Sequence, residues 1–328
     1  MINKKAFLAK NLLDKKKLKA IPTRDGYGEG LIELGKTNKD VVVLCADISD
    51  STRSGWFRDA FPERFIETGI AEQNMMGLAV GLALSGKIPF VSTYAVFCPG
   101  VNWSQIRVLV GQNNANVKLT GAHAGVSVGP DGMSHQALED IAIMRCLPGM
   151  VILSPCDVVE TKKATLAAAK YKGPVYLRFA REKTPVFTTE NTSFAIGKAE
   201  IFRIGKDVTI IACGPLVYNS LVAAEKLSNR GIDVGVINNH TIKPIDEKTI
   251  IRAAKETRAV VTVEEHQVMG GMGSAVAEVL AKNCPVPIEM VGIQDRWGES
   301  GESDELIEHF GLGVSSIMKA VEKVVKRK

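Results

Sequence analysis

Short apolar runs alternate with amphipathic stretches along the whole chain. The apolar runs predict buried β-strands at residues 41–46, 88–94, 116–122, 150–155 and 174–180, and again at 207–214, 233–239, 259–265 and 286–293. Amphipathic stretches such as 25–37 and 157–171 predict helices between them. Strands that alternate with helices in this way are typical of parallel sheets covered on both faces. We therefore predict an α/β fold of two domains, each with a mostly parallel sheet.

Changes in composition indicate where these domains begin and end. Residues 1–22 form a basic segment with a single acid, Asp14, and seven lysines: Lys4, Lys5, Lys10, Lys15, Lys16, Lys17 and Lys19. We interpret the segment as a solvated helix or a frayed tail, because no aromatic stacking motif suggests a nucleic-acid site. Residues 182–198 lose the apolar pattern and gain Thr, Asn and Pro, which is typical of an interdomain linker. The two domains are therefore predicted at 23–181 and 199–328.

The composition is that of a globular protein with two cores. Of 328 residues, 45% are hydrophobic and 23% are charged, and 41 basic against 36 acidic residues give a net charge of +5. The six cysteines are dispersed without metal-like spacing, so we expect free thiols. We find no signal peptide and no apolar run long enough to span a bilayer, so we expect a cytoplasmic protein that binds neither membrane nor nucleic acid.

One carboxylate stands out in the segment GIAEQNMMGLAVGLA, residues 69–83. Glu72 lies in the first turn of a predicted helix whose other positions are mostly apolar or small, so we predict that this helix is buried on all sides. A carboxylate carried into such a place must be paired or neutralised, so one interpretation is a functional role. The alternative is a carboxylate that stabilises the helix N-terminus through the helix dipole, and the residues alone leave both readings open.

Aromatic and acidic residues mark the ends of two predicted strands. Tyr94 and Phe97 follow the strand IPFVSTY, and Asp47 follows VVVLCA at the edge where open parallel sheets bind ligands. Aromatic side chains suit a flat heteroaromatic ligand, although core packing would give the same sequence. Asp47 could equally cap the next loop.

A glycine-rich segment, GAHAGVSVGPDGMSH at 121–135, is too irregular for a strand or helix and too long for a tight turn. We call it the site loop, because loops of this kind are often functional. Its reactive side chains are His123, Asp131 and His135. All three are possible metal ligands, but their spacing fits no compact metal motif.

Several segments resemble the C-terminal half of transketolases. They follow the order and spacing of that family and read RFIETGIAEQNMMGLAVGLA (64–83), PFVSTYAVF (89–97), GAHAGVSVGPDGMSHQALEDIAIMRCLPGM (121–150) and NHTIKPID (239–246). The resemblance implies a thiamine-diphosphate pyrimidine-binding domain followed by a transketolase C-terminal domain. The family holds the cofactor diphosphate and its metal through a Gly-Asp-Gly segment and a later Asn. The nearest string here is PDG at 130–132, with no Asn at the expected distance.

The resemblance implies a cofactor role for five residues. Glu72 would be catalytic, because it would hydrogen-bond the aminopyrimidine ring of thiamine diphosphate and promote loss of the thiazolium proton. Asp47, Ile70, Tyr94 and Phe97 would contact the same cofactor.

The remaining candidates would hold a sugar phosphate. Arg24, Ser51 and Arg181 supply two guanidinium groups and a hydroxyl, a set that suits phosphate. By the resemblance, the two histidines and the aspartate of the site loop would contact the sugar itself. Arg178 lies close to Arg181 in sequence, and we interpret it as structural.

The whole resemblance implies the smaller subunit of a split transketolase. Such a protein transfers a two-carbon ketol unit between phosphorylated sugars of the pentose phosphate pathway. A larger N-terminal subunit would hold Mg²⁺ or Ca²⁺, thiamine diphosphate would bind at the shared interface, and two copies of each chain would form a heterotetramer. The alternatives are a split transketolase for a sulfonated or branched sugar, a 2-oxo acid dehydrogenase beta subunit and a non-enzymatic scaffold subunit. The GPDGMSHQALED loop and Arg24 favour a sugar phosphate over a 2-oxo acid.

Overall fold

The computed structural model describes the backbone of residues 1–328 and the side chains of all residues except Lys15. The strands, in chain order, are β1 (Ala20–Pro22), β2 (Val41–Cys45), β3 (Phe65–Glu67), β4 (Ile88–Tyr94), β5 (Lys118–Ala122), β6 (Val151–Leu153), β7 (Val175–Arg178), β8 (Lys183–Pro185), β9 (Glu200–Arg203), β10 (Val208–Ala212), β11 (Val234–Asn238), β12 (Thr241–Lys243), β13 (Val260–Gln267) and β14 (Ile288–Ile293). The α-helices are α1 (Thr23–Thr37), α2 (Ser49–Thr52), α3 (Gly55–Ala60), α4 (Glu72–Leu84), α5 (Trp103–Gln105), α6 (Asp140–Arg145), α7 (Val158–Lys170), α8 (Leu216–Ser228), α9 (Glu247–Thr257), α10 (Met272–Asn283), α11 (Ser303–His309) and α12 (Val314–Val325).

Two large sheets organise the chain, and the predicted α/β fold is confirmed. The seven-stranded sheet has the order β12-β6-β7-β5-β4-β2-β3, and the five-stranded sheet has the order β14-β13-β10-β11-β9. The central pairs are parallel, whereas the edge pairs β12–β6 and β9–β11 are antiparallel. Central strands are buried on both faces by helices, which explains their continuous runs of Val, Ile and Leu.

Five short strands were not predicted from the apolar pattern: β1, β3, β8, β9 and β12. Each has three or four residues, too few to show a period of two. β8 lies inside the predicted linker and pairs with β1, and β12 comes from the second half of the chain yet extends the first sheet. The second large sheet begins at β9, after β7 of the first sheet and the separate β1–β8 pair, and the predicted domain limits stay predictions.

The basic N-terminal segment is packed on the second domain and is not a frayed tail. Asn3 N donates to Phe202 O at 2.9 Å, and Ala6 and Leu12 are buried in the second domain's core. Lysines such as Lys4 are exposed. Apolar residues between the lysines give the segment one side that binds the core and one that faces water.

Helix α4 is not buried on all sides, so that prediction was wrong. Met75 and Met76 pack in the core, but the opposite face carries the exposed Leu78 (43%) and Leu84 (75%). Exposed Gly77 and Gly81 lie on the same face. The number of apolar residues in a helix does not show whether the surface that packs on each face belongs to the same chain. Here, no described residue packs on this face.

No described helix is long and apolar enough to cross a membrane.

Candidate functional site

The predicted site residues gather at the carboxyl edge of the seven-stranded sheet. Asp47 follows β2, Tyr94 ends β4, His123 follows β5 and Arg181 comes shortly after β7. These four strands are parallel neighbours, so their carboxyl ends meet at one edge. Asp47 and His123 have φ angles of 58° and 55°, a left-handed conformation that is uncommon outside glycine and clusters at functional sites.

Four rings form a continuous aromatic wall at this edge. The Tyr94 and Phe97 rings are stacked with centroids 5.8 Å apart, and the His123 ring lies 4.1 Å from Tyr94. His135 approaches Phe97 edge-on at 5.8 Å. Two residues of the site loop thus pack against the aromatic pair from β4, and the wall offers flat faces to a heteroaromatic or sugar ligand.

Glu72 is the first residue of α4, the helix that packs against β4. Its side chain is 8% exposed, and its carboxylate makes no hydrogen bond or ion pair with any residue that the structure describes. The Asn102 side chain contacts its backbone oxygen at 3.4 Å. The pKa of Cys98 is raised to about 12, chiefly by burial and in addition by the nearby charge of Glu72. Ile70, just before the helix, is 81% exposed.

A basic cluster stands on the other side of His123. Arg24 Nη1 donates to Ser51 O at 2.9 Å and lies 3.5 Å from His123 Nε2, while its Nε is buried with no partner among the described residues. Burial lowers the pKa of Arg24, and the charges of Arg53 and Arg181 lower it further. The pKa of His123 is lowered to about 3, chiefly by burial and then by the charges of Arg24, Arg181 and Arg53. His123 is therefore neutral at physiological pH and acts as a hydrogen-bonding group.

The site loop brings Asp131 toward the same cluster. Arg181 Nη1 donates to Val128 O at 2.7 Å and lies 4.0 Å from Asp131 Oδ1. Arg178, by contrast, is buried and donates to Asp140 Oδ2 at 2.8 Å. Its guanidinium is thus bound within the protein, whereas Arg181 retains donors for an anion.

Two residues at this edge were not predicted. Arg53 donates through Nε to Asp25 at 2.7 Å and contributes its charge to the basic cluster. Its only sequence signal is its place two residues after Ser51. Glu67 accepts the backbone N–H of Asp47 at 2.8 Å. Within the described residues, no group of three or more His, Cys, Asp or Glu side chains is arranged to hold a metal ion.

The fold and the site together define a class of protein. It is a two-domain α/β protein in which an aromatic wall and a cluster of arginines lie at the carboxyl edge of a parallel sheet, the edge where such sheets commonly bind ligands. Family models for the transketolase pyrimidine binding domain and the transketolase C-terminal domain match residues 19–186 and 197–317. The chain belongs to the transketolase family and corresponds to its C-terminal part.

Individual relatives agree with this assignment. A Methanocaldococcus jannaschii protein provisionally named a transketolase C-terminal section is 48% identical over 93% of this chain and 96% of its own length. The 6-deoxy-6-sulfo-D-fructose transketolase subunit of Clostridium sp. (strain MSTE9) is 41% identical over 93% of this chain and 95% of its own length. The solved structure of a split gene transketolase, an inactive beta4 tetramer, has a TM-score of 0.88 and 44% identity, covering 93% of this chain and 99% of that chain.

Proposed function

We propose that this chain is the catalytic C-terminal subunit of a split transketolase that transfers a two-carbon ketol unit between phosphorylated sugars. Thiamine diphosphate would bind between this chain and an N-terminal subunit, which would hold the diphosphate with Mg²⁺ or Ca²⁺, with two copies of each chain in the assembly. The observation that carries the proposal is that Glu72 is only 8% exposed and its carboxylate has no hydrogen-bond partner among the described residues, while its helix packs against β4, the strand that leads into the aromatic wall. A carboxylate with so little exposure and no partner in the chain is available to a ligand group.

The residues present fit the aminopyrimidine end of thiamine diphosphate. When bound, the cofactor would supply a thiazolium carbon that accepts negative charge as a carbon–carbon bond breaks. Glu72 would hold a proton at the pyrimidine ring, while Tyr94 packs against that ring. Arg24 and Arg181 would bind the phosphate of the sugar through charge-assisted hydrogen bonds, and neutral His123 would orient the adjacent hydroxyls.

Calorimetric titration and reconstitution test this proposal. The isolated chain should bind thiamine diphosphate and Mg²⁺ negligibly, because the diphosphate site would belong to the N-terminal subunit. Addition of that subunit should produce both cofactor binding and ketol transfer from a phosphorylated ketose to an aldose. Tight cofactor binding by the isolated chain, or a loaded complex without ketol transfer, would contradict the proposal.

A sulfonated sugar is the second candidate substrate. One similar protein has such a sugar in its name, and an arginine cluster can bind a sulfonate as well as a phosphate. The ratio of kcat/KM values for a phosphorylated and a sulfonated ketose, measured on the reconstituted complex, decides between them. The 2-oxo acid dehydrogenase alternative gains no support from the comparisons.

A further inference from the structure

A buried carboxylate of the second domain hydrogen-bonds the site loop, which also packs against α11 of that domain. Glu265 lies on β13 and is 3% exposed. Its Oε1 accepts the backbone N–H of Ser127 at 2.5 Å, across 138 positions of sequence. Hydrogen bonds to a charged acceptor are among the stronger ones in proteins, so this contact is well suited to fix a loop.

The Ser127 amide lies next to the part of the site loop that would face the substrate. Val128, the following residue, accepts the guanidinium of Arg181 through its carbonyl, and Asp131 lies three residues further on. On the other side, Gly125 has a φ of 88° and no room for a Cβ, because that atom would overlap the Glu265 carboxylate. The backbone of the loop thus runs directly against Glu265.

Glu265 is itself held in place from the first domain. Arg178 donates through Nη2 to the backbone oxygen of Glu265 at 2.8 Å and through Nε to Asp140 at 2.8 Å. Both Arg178 and Asp140 are buried. The carboxylate that holds the loop therefore has little freedom to move with it.

We propose that Glu265 is a positioning residue for sugar binding. Its carboxylate fixes the amide of Ser127, which orients the Val128 carbonyl and hence Arg181, and it sets where Asp131 meets the sugar. This inference rests on the proposed function, because it assigns the second domain a part in presenting the sugar-phosphate site of the first domain.

The neighbouring Glu264 offers a matched control. It is 1% exposed and accepts the backbone N–H groups of Met272 and Gly273 at 2.6 and 2.7 Å, at the start of α10. Both glutamates are thus buried acceptors of backbone amides on the same strand. Glu264 serves a helix of its own domain, and none of its hydrogen bonds reaches the site loop.

Two measurements test the role of Glu265. Amide hydrogen exchange of the site loop is followed in the isolated chain, and KM and kcat for a phosphorylated ketose are measured in the reconstituted complex. In Glu265→Ala, the Ser127 amide should exchange at least about tenfold faster. KM should rise about tenfold, with kcat far less affected. Both changes have the size expected for the loss of one charge-assisted hydrogen bond. Glu265→Gln, which keeps an acceptor oxygen, should restore both values. Glu264→Ala should lower stability and leave both unchanged.

Glu265→Asp covers the case in which Glu265→Ala does not fold. Aspartate keeps the charge but is one methylene shorter, so it should reproduce the faster exchange and the higher KM. Equal exchange in Glu264→Ala and Glu265→Ala, or an unchanged KM in Glu265→Ala or Glu265→Asp with normal kcat, would overturn the inference. Absence of ketol transfer in the wild-type complex would instead overturn the proposed function. The hydrogen-exchange measurement uses the isolated chain, so its result does not depend on ketol transfer.

Discussion

At the scale of single residues, Glu72 is distinguished by what it lacks. The Glu72 side chain is only 8% exposed at the start of α4, and no described residue donates a hydrogen bond to its carboxylate. A carboxylate that merely favours the helix dipole can do so from an exposed position. A ligand that donates a hydrogen bond would give this carboxylate the partner that the chain does not supply.

Replacement of Glu72 by Gln separates the two roles. In the reconstituted complex, Glu72→Gln should slow deuterium exchange of the thiazolium proton by about a hundredfold or more, a typical acid–base contribution. The amide keeps the shape of the side chain but cannot hold or release the proton. NMR of the cofactor proton gives the rate. Exchange at the wild-type rate, with a loss of stability of about 1 kcal/mol, would indicate a capping residue.

Arg24 and Arg181 should discriminate between substrates with and without a terminal anion. Either residue changed to Ala should raise KM for phosphorylated ketoses about tenfold to a hundredfold, the range for hydrogen bonds to charged groups. An unphosphorylated donor such as hydroxypyruvate should be little affected. Steady-state kinetics with both donors measures the effect, and Arg230→Ala, at an exposed arginine of the second domain, serves as control. Equal losses on both donors would make the arginines structural.

At the scale of elements, α4 connects the site to assembly. The helix begins at Glu72 and continues into a face of small and apolar residues that nothing in the described chain covers. Gly77 and Gly81 have no atom within 4 Å of the position that a Cβ would occupy. Such a face allows another helix to approach closely, so the element that carries the carboxylate also offers a contact surface beside it.

A charge on this face should prevent assembly without unfolding the chain. In the reconstituted complex with the N-terminal subunit, Leu78→Glu should reduce the assembled fraction in sedimentation experiments, because burial of an unpaired carboxylate in an interface is unfavourable. Ile204→Glu provides the control, since Ile204 is also exposed (60%) but lies in the second domain. If Leu78→Glu assembled as the wild type does, the exposed face of α4 would not be an interface.

At the scale of the whole molecule, the two domains meet through buried polar groups. His240 lies between β11 and β12, where the chain crosses from one sheet to the other, and it stacks on Phe194 with centroids 4.2 Å apart. Its backbone oxygen accepts Ser154 N at 2.8 Å. Burial lowers the pKa of His240 to about 3, so the folded protein keeps this imidazole neutral.

The lowered pKa of His240 makes stability depend on pH. The unfolded chain binds a proton at His240 below about pH 6.5, whereas the folded chain does not until about pH 3. The contribution of His240 to the free energy of unfolding is therefore at its maximum above pH 6.5. It falls by up to about 1.4 kcal/mol per pH unit as the pH drops toward 3. In denaturant titrations at one chain concentration, the stability advantage of wild type over His240→Gln should be constant near pH 8 and shrink between pH 6 and 4. A difference independent of pH would contradict this.

The strands and much of the site edge were predictable from the sequence. Buried parallel strands need continuous apolar residues, and such runs are visible in the sequence wherever a strand is five residues or longer. The motif segments carry Tyr94, Phe97 and His123, and the structure brings these together because parallel neighbouring strands end at one edge.

The sequence by itself determined the α/β fold, the order of the long elements and the identity of the polar residues at the ends of the strands, because these depend on local periodicity. Tertiary structure alone decided which groups meet. Glu265 and Ser127 are 138 positions apart, and apolar residues of α4 lie both on its buried face and on its exposed face. Contacts of this kind depend on how two sheets pack against each other, and no local pattern of hydrophobic and polar residues records that packing.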